Sequence, residues 1–282
     1  ELGVPLVTSW NGRGVIDEDH AMNLGGLNST PEVEAFYAGV DLLIVAGSRL
    51  RGHETRDMSL ALPARRAQID IDAAANGRTY ACEHFVCADS ALTLSALAER
   101  VAGRLAIAPG YGEEIAALKT RTTEAYRDGL GPYRSFPGDL RAAMPQDALW
   151  VRDVTLNNST WGNRIFPVHG PRDSVYPVGA AIGPGLPFGI GAALGAPGRK
   201  VVAMTGDGAF YLSLAEIWTA ADANADVVFM VMNDGGYGVI RHIQDKLYGG
   251  HHVYDKPSGP DFETLAAMAR MPFKRVASAD AL

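Results

Sequence analysis

Cysteine is scarce in this sequence of 282 residues. Cys82 and Cys87 are too few for a disulfide framework, and their spacing lacks the paired short loops of a structural zinc site. Basic residues are outnumbered, and the formal net charge of -7 argues against nucleic acid or an anionic membrane surface as a partner. No basic and then apolar segment resembles a signal peptide. We therefore expect reduced thiols and a cytoplasmic location.

Long apolar runs without helix breakers are also absent. The segment 176–198 carries almost no charge, but it contains four prolines, at 177, 184, 187 and 197. Proline interrupts helical hydrogen bonding, so we expect no membrane span here. The composition, with 47% hydrophobic and 20% charged residues, is that of a globular protein with a full core.

Apolar β-rich runs alternate with helical ones along most of the chain. Strands are predicted at 4–8, 41–46, 67–71 and 85–88, followed by a helix over 91–105. This alternation predicts an α/β fold with two doubly wound domains, whose mostly parallel sheets are covered by helices. We expect domains at 1–105 and 139–282 with a linker at 106–138. Both chain ends resemble cuts within a larger fold, so the first domain is expected to lack its start and the second its end.

Two apolar runs at 200–205 and 227–232 form the most informative pattern. They are predicted to be strands, and the helix between them is expected over 212–224, with Ser213 and Glu216 as a capping box. A strand, helix and strand in this order form a right-handed crossover, which makes the strands parallel and adjacent. The first run ends at Asp207 and the second at Asp234. Adjacent strands lie about 4.8 Å apart, so the two carboxylates can share one cation at the carboxyl edge of the sheet.

The residue types at these two turns suit a magnesium ion. Magnesium takes oxygen ligands and usually keeps phosphate oxygens in its shell. Asp207, Asp234 and a backbone carbonyl near Gly236 would leave room for a diphosphate and a water, and Gly208 would let the chain pass close to the anion. Each turn alone is most simply an ordinary strand-to-helix turn. The two together, one crossover apart, favour a shared site.

The motif Gly206-Asp207-Gly208, followed by Asn233-Asp234, resembles the cofactor signature of thiamine-diphosphate-dependent enzymes. The match extends over nearly the whole chain. Segments 176–183 and 186–195 are similar to the region preceding that signature in acetolactate synthases and benzoylformate decarboxylases. Segment 68–72 resembles the end of a strand in their central domain. The resemblance implies a Rossmann-like central domain at 1–105 and a diphosphate-binding domain at 139–282.

The resemblance also implies roles for individual residues. Asp207, Asp234 and the carbonyl of Gly236 would be the Mg2+ ligands. The family most often has asparagine where this chain has Asp234, so Asn233 is an alternative ligand.

The resemblance assigns further residues to the organic part of the cofactor. Ile182 would wedge between the two cofactor rings, and the carbonyl of Ala180 would accept a hydrogen bond from the 4′-amino group; these are the two expected catalytic positions. Further cofactor contacts are expected from Asn157, Asn158, Gly206, Gly208, Ala209 and Tyr237. Taken alone, Asn157 and Asn158 fit a plain polar loop, and Ile182 with its neighbouring glycines fits the close packing of a buried helix.

The reaction implied is decarboxylation of a 2-oxo acid, followed either by protonation or by addition to a second carbonyl. Ile240 matches the position where pyruvate decarboxylases carry a proton-handling glutamate, and an aliphatic residue there resembles both acetolactate synthases and benzoylformate decarboxylases, so we prefer these relatives to a pyruvate decarboxylase. Our first hypothesis is an acetolactate-synthase-like carboligase, and an aryl 2-oxo-acid decarboxylase is the second. The histidines that follow could assist proton transfer, although solvated loop histidines are the simpler interpretation: His242, His251 and His252.

Two further partners follow from the resemblance. In this family a glutamate from a separate pyrimidine-binding domain activates the cofactor, usually across a subunit interface, and no segment here resembles that domain. We expect it from another chain segment or subunit, in a homodimer or homotetramer. An inactive cofactor-binding module is the competing hypothesis. A flavin (FAD) at 47–49 is a weaker alternative, because the rest of the match to flavin-binding relatives is poor.

Overall fold

A computed structural model describes residues 2–278 and 281 of the chain, and these form two compact units. The first unit combines the chain up to residue 9 with 20–126, and the second combines 10–19 with 127 onward. The region predicted as a linker, 106–138, therefore divides between the units, and the domain boundaries stay a prediction. Within the described part of the chain, no helix combines the length and the apolar character needed to cross a membrane.

The first unit is built on a parallel sheet of three strands in the order β1-β2-β3. These are β1 (Leu43–Ala46), β2 (Arg66–Asp70) and β3 (His84–Cys87), and they agree with three predicted strands. The helices are α1 (Pro31–Tyr37), α2 (Ser90–Val101) and α3 (Tyr111–Asp128), whose last two residues belong to the second unit, with short 3-10 turns at Gly52–Glu54 and Ala73–Ala75.

The strand predicted at 4–8 is wrong. The structure has only an isolated parallel bridge between Leu6 and Asn23. Pro5 lacks a backbone N–H and so cannot donate to a ladder.

The second unit contains a parallel sheet of four strands in the order β5-β4-β6-β7. Its strands are β4 (Leu149–Arg152), β5 (Ser174–Val175), β6 (Val201–Gly206) and β7 (Val227–Met232). The helices are α4 (Phe136–Ala143), α5 (Gly185–Gly195), α6 (Asp207–Leu212), α7 (Glu216–Asp222), α8 (Gly238–Leu247) and α9 (Phe262–Met268). A 3-10 turn at Gly131–Tyr133 and a π-helical turn at Asn158–Gly162 complete the unit. The predicted α/β class with parallel sheets is confirmed.

The order of strands in the second sheet reverses beside β4. From β4 the chain runs outward to β5, then crosses back to β6 and continues to β7 in the opposite direction. β6 and β7 are adjacent and parallel, with Val201 opposite Val227 and Gly206 opposite Met232, which confirms the predicted crossover. In open α/β sheets, ligands collect at the carboxyl ends of strands where the order reverses.

The helix predicted over 212–224 is present but shorter, since α7 covers only Glu216–Asp222; its predicted start is wrong. α6 begins directly at Asp207, and α7 begins only at Glu216. Ser213 lies between them and is not a cap, because its hydroxyl donates to the backbone carbonyl of Gly183. A tertiary partner for the serine thus replaces the local capping box.

Candidate cofactor and metal site

A cavity of about 240 Å³ lies at the carboxyl edge of the second sheet. It is lined by residues 154–157 after β4 and by 206–209 at the end of β6 and the start of α6. Met232 at the end of β7, Asp234 and residues 236–240 after it, and two residues of the loop before α5 complete the lining. All of these segments belong to the second unit. The cavity therefore occupies the edge at which the strand order reverses.

Most of the residues predicted from the sequence meet at this cavity. Those that line it are Asn157, Ala180, Ile182, Gly206, Asp207, Gly208, Ala209, Asp234, Gly236 and Tyr237. The sequence had not indicated Val154, Thr155, Leu156, Met232, Gly238 and Val239, which complete the wall with Ile240. Their only sequence signal was position, since they lie after β4, at the end of β7 or at the start of α8.

Asp207 is the first residue of α6 and is only 3% exposed. Burial raises the pKa of the Asp207 carboxyl, the nearby backbone N–H groups of Gly208 and Gly236 act against that shift, and the negative charge of Asp234 raises the pKa further. The two carboxylates are thus close enough to repel each other. A divalent cation between them would offset this repulsion, and carboxylate and carbonyl oxygens are the donors it takes, so the residues present fit a magnesium site.

The turn after β7 is held tightly around Gly236. The backbone N–H of Tyr237 donates to the carbonyl of Asp255 at 2.8 Å, and the Asp255 carboxylate accepts from Nε of Arg241 at 3.0 Å. An added Cβ on Gly236 would collide with both Asp255 and Arg241. Only glycine fits here, which keeps the backbone of this turn beside Asp207.

Two other glycines are required by neighbouring side chains. An added Cβ on Gly208 would overlap the ring of Tyr237, and one on Gly238 would overlap the carboxylate of Asp234. Gly208 was predicted to allow close approach of an anion; the structure adds the packing of Tyr237 as a reason for the glycine.

Asn233, the alternative ligand, uses its side chain elsewhere. Its Oδ1 accepts from the backbone N–H of Gly235 at 3.1 Å, which shapes the turn. It is not among the residues that line the cavity, whereas Asp234 is.

The loop before α5 brings Ala180 and Ile182 to the cavity. Ala180 has a φ of +59°, a left-handed conformation that residues other than glycine rarely adopt. The Ile182 side chain is 43% exposed, so it is available to a ligand. Backbone N–H groups of this loop donate to the carboxylate of Asp153, a buried residue that the sequence had not indicated.

The two predicted asparagines differ in position. Asn157 lines the cavity, and its Oδ1 accepts from Nε1 of Trp161 at 3.1 Å. Asn158 is fully buried, and an added Cβ on Gly162 would meet its amide. The geometry gives the predicted role of Asn158 no support, and that role stays a prediction.

The remaining predicted groups lie outside the cavity wall. His242, His251 and His252 are not among the lining residues, and His252 pairs with Asp245 at 2.6 Å. The segment 47–49, considered for a flavin, follows β1 in the first unit. Both roles stay predictions.

Two family models match the sequence over most of its length. The model described as thiamine pyrophosphate enzyme, central domain, matches residues 1–97. The model described as thiamine pyrophosphate enzyme, C-terminal TPP binding domain, matches residues 156–282 and includes all of the cavity-lining residues except Val154 and Thr155. The chain belongs to the thiamine pyrophosphate enzymes.

Curated relatives in this family are similar along almost the whole chain. A probable 2-ketoarginine decarboxylase of Pseudomonas aeruginosa is 29% identical over 94% of this chain and 47% of its own length. The acetolactate synthase large subunit of Corynebacterium glutamicum is 28% identical over 94% of this chain and 44% of its own length. Acetolactate synthase 1 of Nicotiana tabacum is 28% identical over 99% and 44%. The chain thus spans less than half the length of these relatives.

Proposed function

We propose that this chain binds thiamine diphosphate with Mg2+ and takes part in 2-oxo acid decarboxylation with carboligation, as an acetolactate-synthase-like enzyme. The observation that carries the proposal is the pair of carboxylates, Asp207 and Asp234, in one cavity at the reversal of strand order. The similarity of the chain to acetolactate synthases supports the reaction class.

Each part of the cavity would serve a different part of the cofactor. Asp207, Asp234 and the backbone of Gly236 would hold the metal and through it the diphosphate. Ile182 and the carbonyl of Ala180 would contact the rings. The bound cofactor supplies the electron sink for decarboxylation; the protein contributes orientation and an apolar wall that excludes water.

The wall near α8 supports the preference over a pyruvate-decarboxylase-like reaction. Val239 and Ile240 are aliphatic, and among the described lining residues the only carboxylic side chains are Asp207 and Asp234. With both of them assigned to the metal, this part of the site offers no carboxylic acid to protonate the decarboxylated product.

A pyrimidine-binding domain is part of the proposal. We expect it from another chain segment or subunit, in a homo-oligomer with a cytoplasmic location. Aryl 2-oxo-acid decarboxylation is the second candidate.

Replacing Asp207 by Ala tests the site. Because the metal would lose a buried ligand, Mg2+-dependent binding of thiamine diphosphate should be abolished in titration calorimetry. Asp222→Ala, an exposed acid in the same crossover, is the matched control and should bind like the wild type. Equal affinity of Asp207→Ala and the wild type with magnesium present would sink the assignment.

Product analysis tests the reaction, using the chain supplied with a pyrimidine-binding domain from a relative. Pyruvate should yield acetolactate. Benzaldehyde from benzoylformate, without any carboligation product from pyruvate, would instead favour the second candidate. Binding of the cofactor without turnover of either substrate would favour an inactive module.

A further inference from the structure

Asp153 follows β4 and is completely buried beneath the loop formed by residues 179–185, here called the pocket loop. Its carboxylate accepts from the N–H of Gly183 at 3.1 Å to each oxygen and from the N–H of Gly185 at 2.7 Å. It also accepts from the N–H of Val154 at 2.7 Å. The Asp153 side chain thus binds backbone N–H groups both of the pocket loop and of its own neighbour in the chain.

The backbone of Asp153 is itself fixed to the sheet. Its N–H donates to the carbonyl of Met204 in β6 at 2.8 Å, which continues the ladder between β4 and β6. The carboxylate therefore connects the pocket loop to the strand whose end carries Asp207. A rigid strand is a better support for a binding residue than a loop is.

Ser213 forms a second hydrogen bond to the pocket loop. The hydroxyl of Ser213 donates to the carbonyl of Gly183, whose own N–H is bound by Asp153. Gly183 has a φ of +102°, where an L side chain is strained, and an added Cβ on Gly185 would collide with Asp153. The backbone N–H and the carbonyl of Gly183 are therefore both hydrogen-bonded, and this fixes the chain immediately after Ile182.

The contacts suit an ionised carboxylate. Burial raises the pKa of Asp153, and the N–H groups of Gly185, Val154 and Gly183 act against that shift. Backbone donors can stabilise a buried negative charge. Since Asp153 is not among the residues that line the cavity, its effect on a ligand must act through the loop.

We propose that Asp153, with Ser213 opposite, is a positioning residue that fixes the pocket loop and so sets where Ala180 and Ile182 meet the cofactor rings. This inference rests on the proposed function. It separates the cavity into a diphosphate part, held by Asp207 and Asp234, and a ring part, held through Asp153.

The separation can be measured with two ligands that share a diphosphate. Asp153→Asn preserves the side-chain size but replaces one acceptor oxygen by an NH2 group facing the loop donors. Titration calorimetry with Mg2+ and pyrophosphate should give the wild-type affinity. With Mg2+ and thiamine diphosphate the affinity should fall by about tenfold, the effect expected for losing a charged hydrogen bond.

Amide hydrogen exchange, measured by NMR without any ligand, tests the loop directly. The N–H groups of Gly183 and Gly185 should exchange faster in Asp153→Asn than in the wild type. Val151→Ala is the matched control, because it removes buried apolar contacts from β4 without touching the loop. It should lower the free energy of unfolding but leave the ratio of the two ligand affinities unchanged.

The outcomes separate the two proposals. Failure of the wild type to bind either ligand would defeat the proposed function, while faster loop exchange would still support the role of Asp153 in the loop. Equal loss of both affinities, or no loss of either, would overturn the positioning role. Should Asp153→Asn not fold, Ser213→Ala decides: it should weaken thiamine diphosphate alone, and unchanged affinity for both ligands would count against the proposal.

Discussion

Single residues at the cavity adopt backbone conformations and contacts that most side chains exclude. Gly208, Gly236 and Gly238 each lie against a neighbouring group that leaves no space for a Cβ. Ala180 is different, because it is an alanine at a φ of +59°. Its left-handed conformation costs roughly 1–2 kcal/mol relative to a right-handed one, and tertiary contacts of the pocket loop must hold it.

Replacing Ala180 by Gly should therefore be tolerated. Relief of the left-handed strain outweighs or balances the extra chain entropy of glycine, about 0.5–1 kcal/mol. The free energy of unfolding, measured by urea denaturation, should stay the same or rise by up to about 1 kcal/mol. Ala221→Gly within α7 is the comparison, and it should lose about 1 kcal/mol. A loss of similar size in both variants would contradict strain at Ala180.

Among the elements, α5 lies unusually close to the sheet of the second unit. An added Cβ on Gly189 would lie 2.8 Å from the Cβ of Ala203 in β6 and 3.2 Å from Val227 in β7. The glycines that follow Ile182 suggested the close packing of a buried helix. The structure identifies Gly189 as the point of contact, whereas an added Cβ on Gly191 or Gly195 would have no described heavy atom within 4 Å. This closeness brings the start of α5, and the pocket loop before it, to the edge of the sheet.

Gly189→Ala and Gly191→Ala should change stability in opposite directions. The first would push α5 away from β6 and lower the free energy of unfolding by about 1–3 kcal/mol. The second lies in the same helix with no described heavy atom within 4 Å of its added Cβ, so it should raise that free energy by about 0.5–1 kcal/mol. Thermal and urea unfolding would check both. Stabilisation by Gly189→Ala would mean that α5 can shift without cost.

At the scale of the whole molecule, the proposed ligand set belongs to only one of the two compact units. Every cavity-lining residue falls in the second unit. Each unit has its own parallel sheet and its own buried core, for example Ile69 in the first and Val201 in the second. Ligand binding should therefore stabilise the second unit and leave local opening of the first unit unchanged.

Thiamine diphosphate with Mg2+ should slow hydrogen exchange selectively. At roughly 100 times the dissociation constant, a ligand that binds only the folded state adds about 2.7 kcal/mol. Exchange measured by mass spectrometry should slow in peptides covering β6 and β7 and stay unchanged in peptides covering β2. Removal of the metal with EDTA should reverse the effect. Equal protection of β2 would place the ligand contacts elsewhere.

The sequence by itself determined the α/β class, the parallel crossover of β6 and β7, and the convergence of Asp207 and Asp234, because apolar periodicity and strand-end turns are local properties. It did not determine what Ser213 binds, that Asn158 is buried, or that Asp153 supports the pocket loop. Those contacts depend on segments that only folding brings together. Ser213 donates its hydroxyl hydrogen bond to Gly183 instead of capping the helix that follows it, and Asp153 accepts from N–H groups of a loop about thirty residues away along the chain. A hydrogen bond between distant segments leaves no periodic signal, so only the tertiary structure decided it.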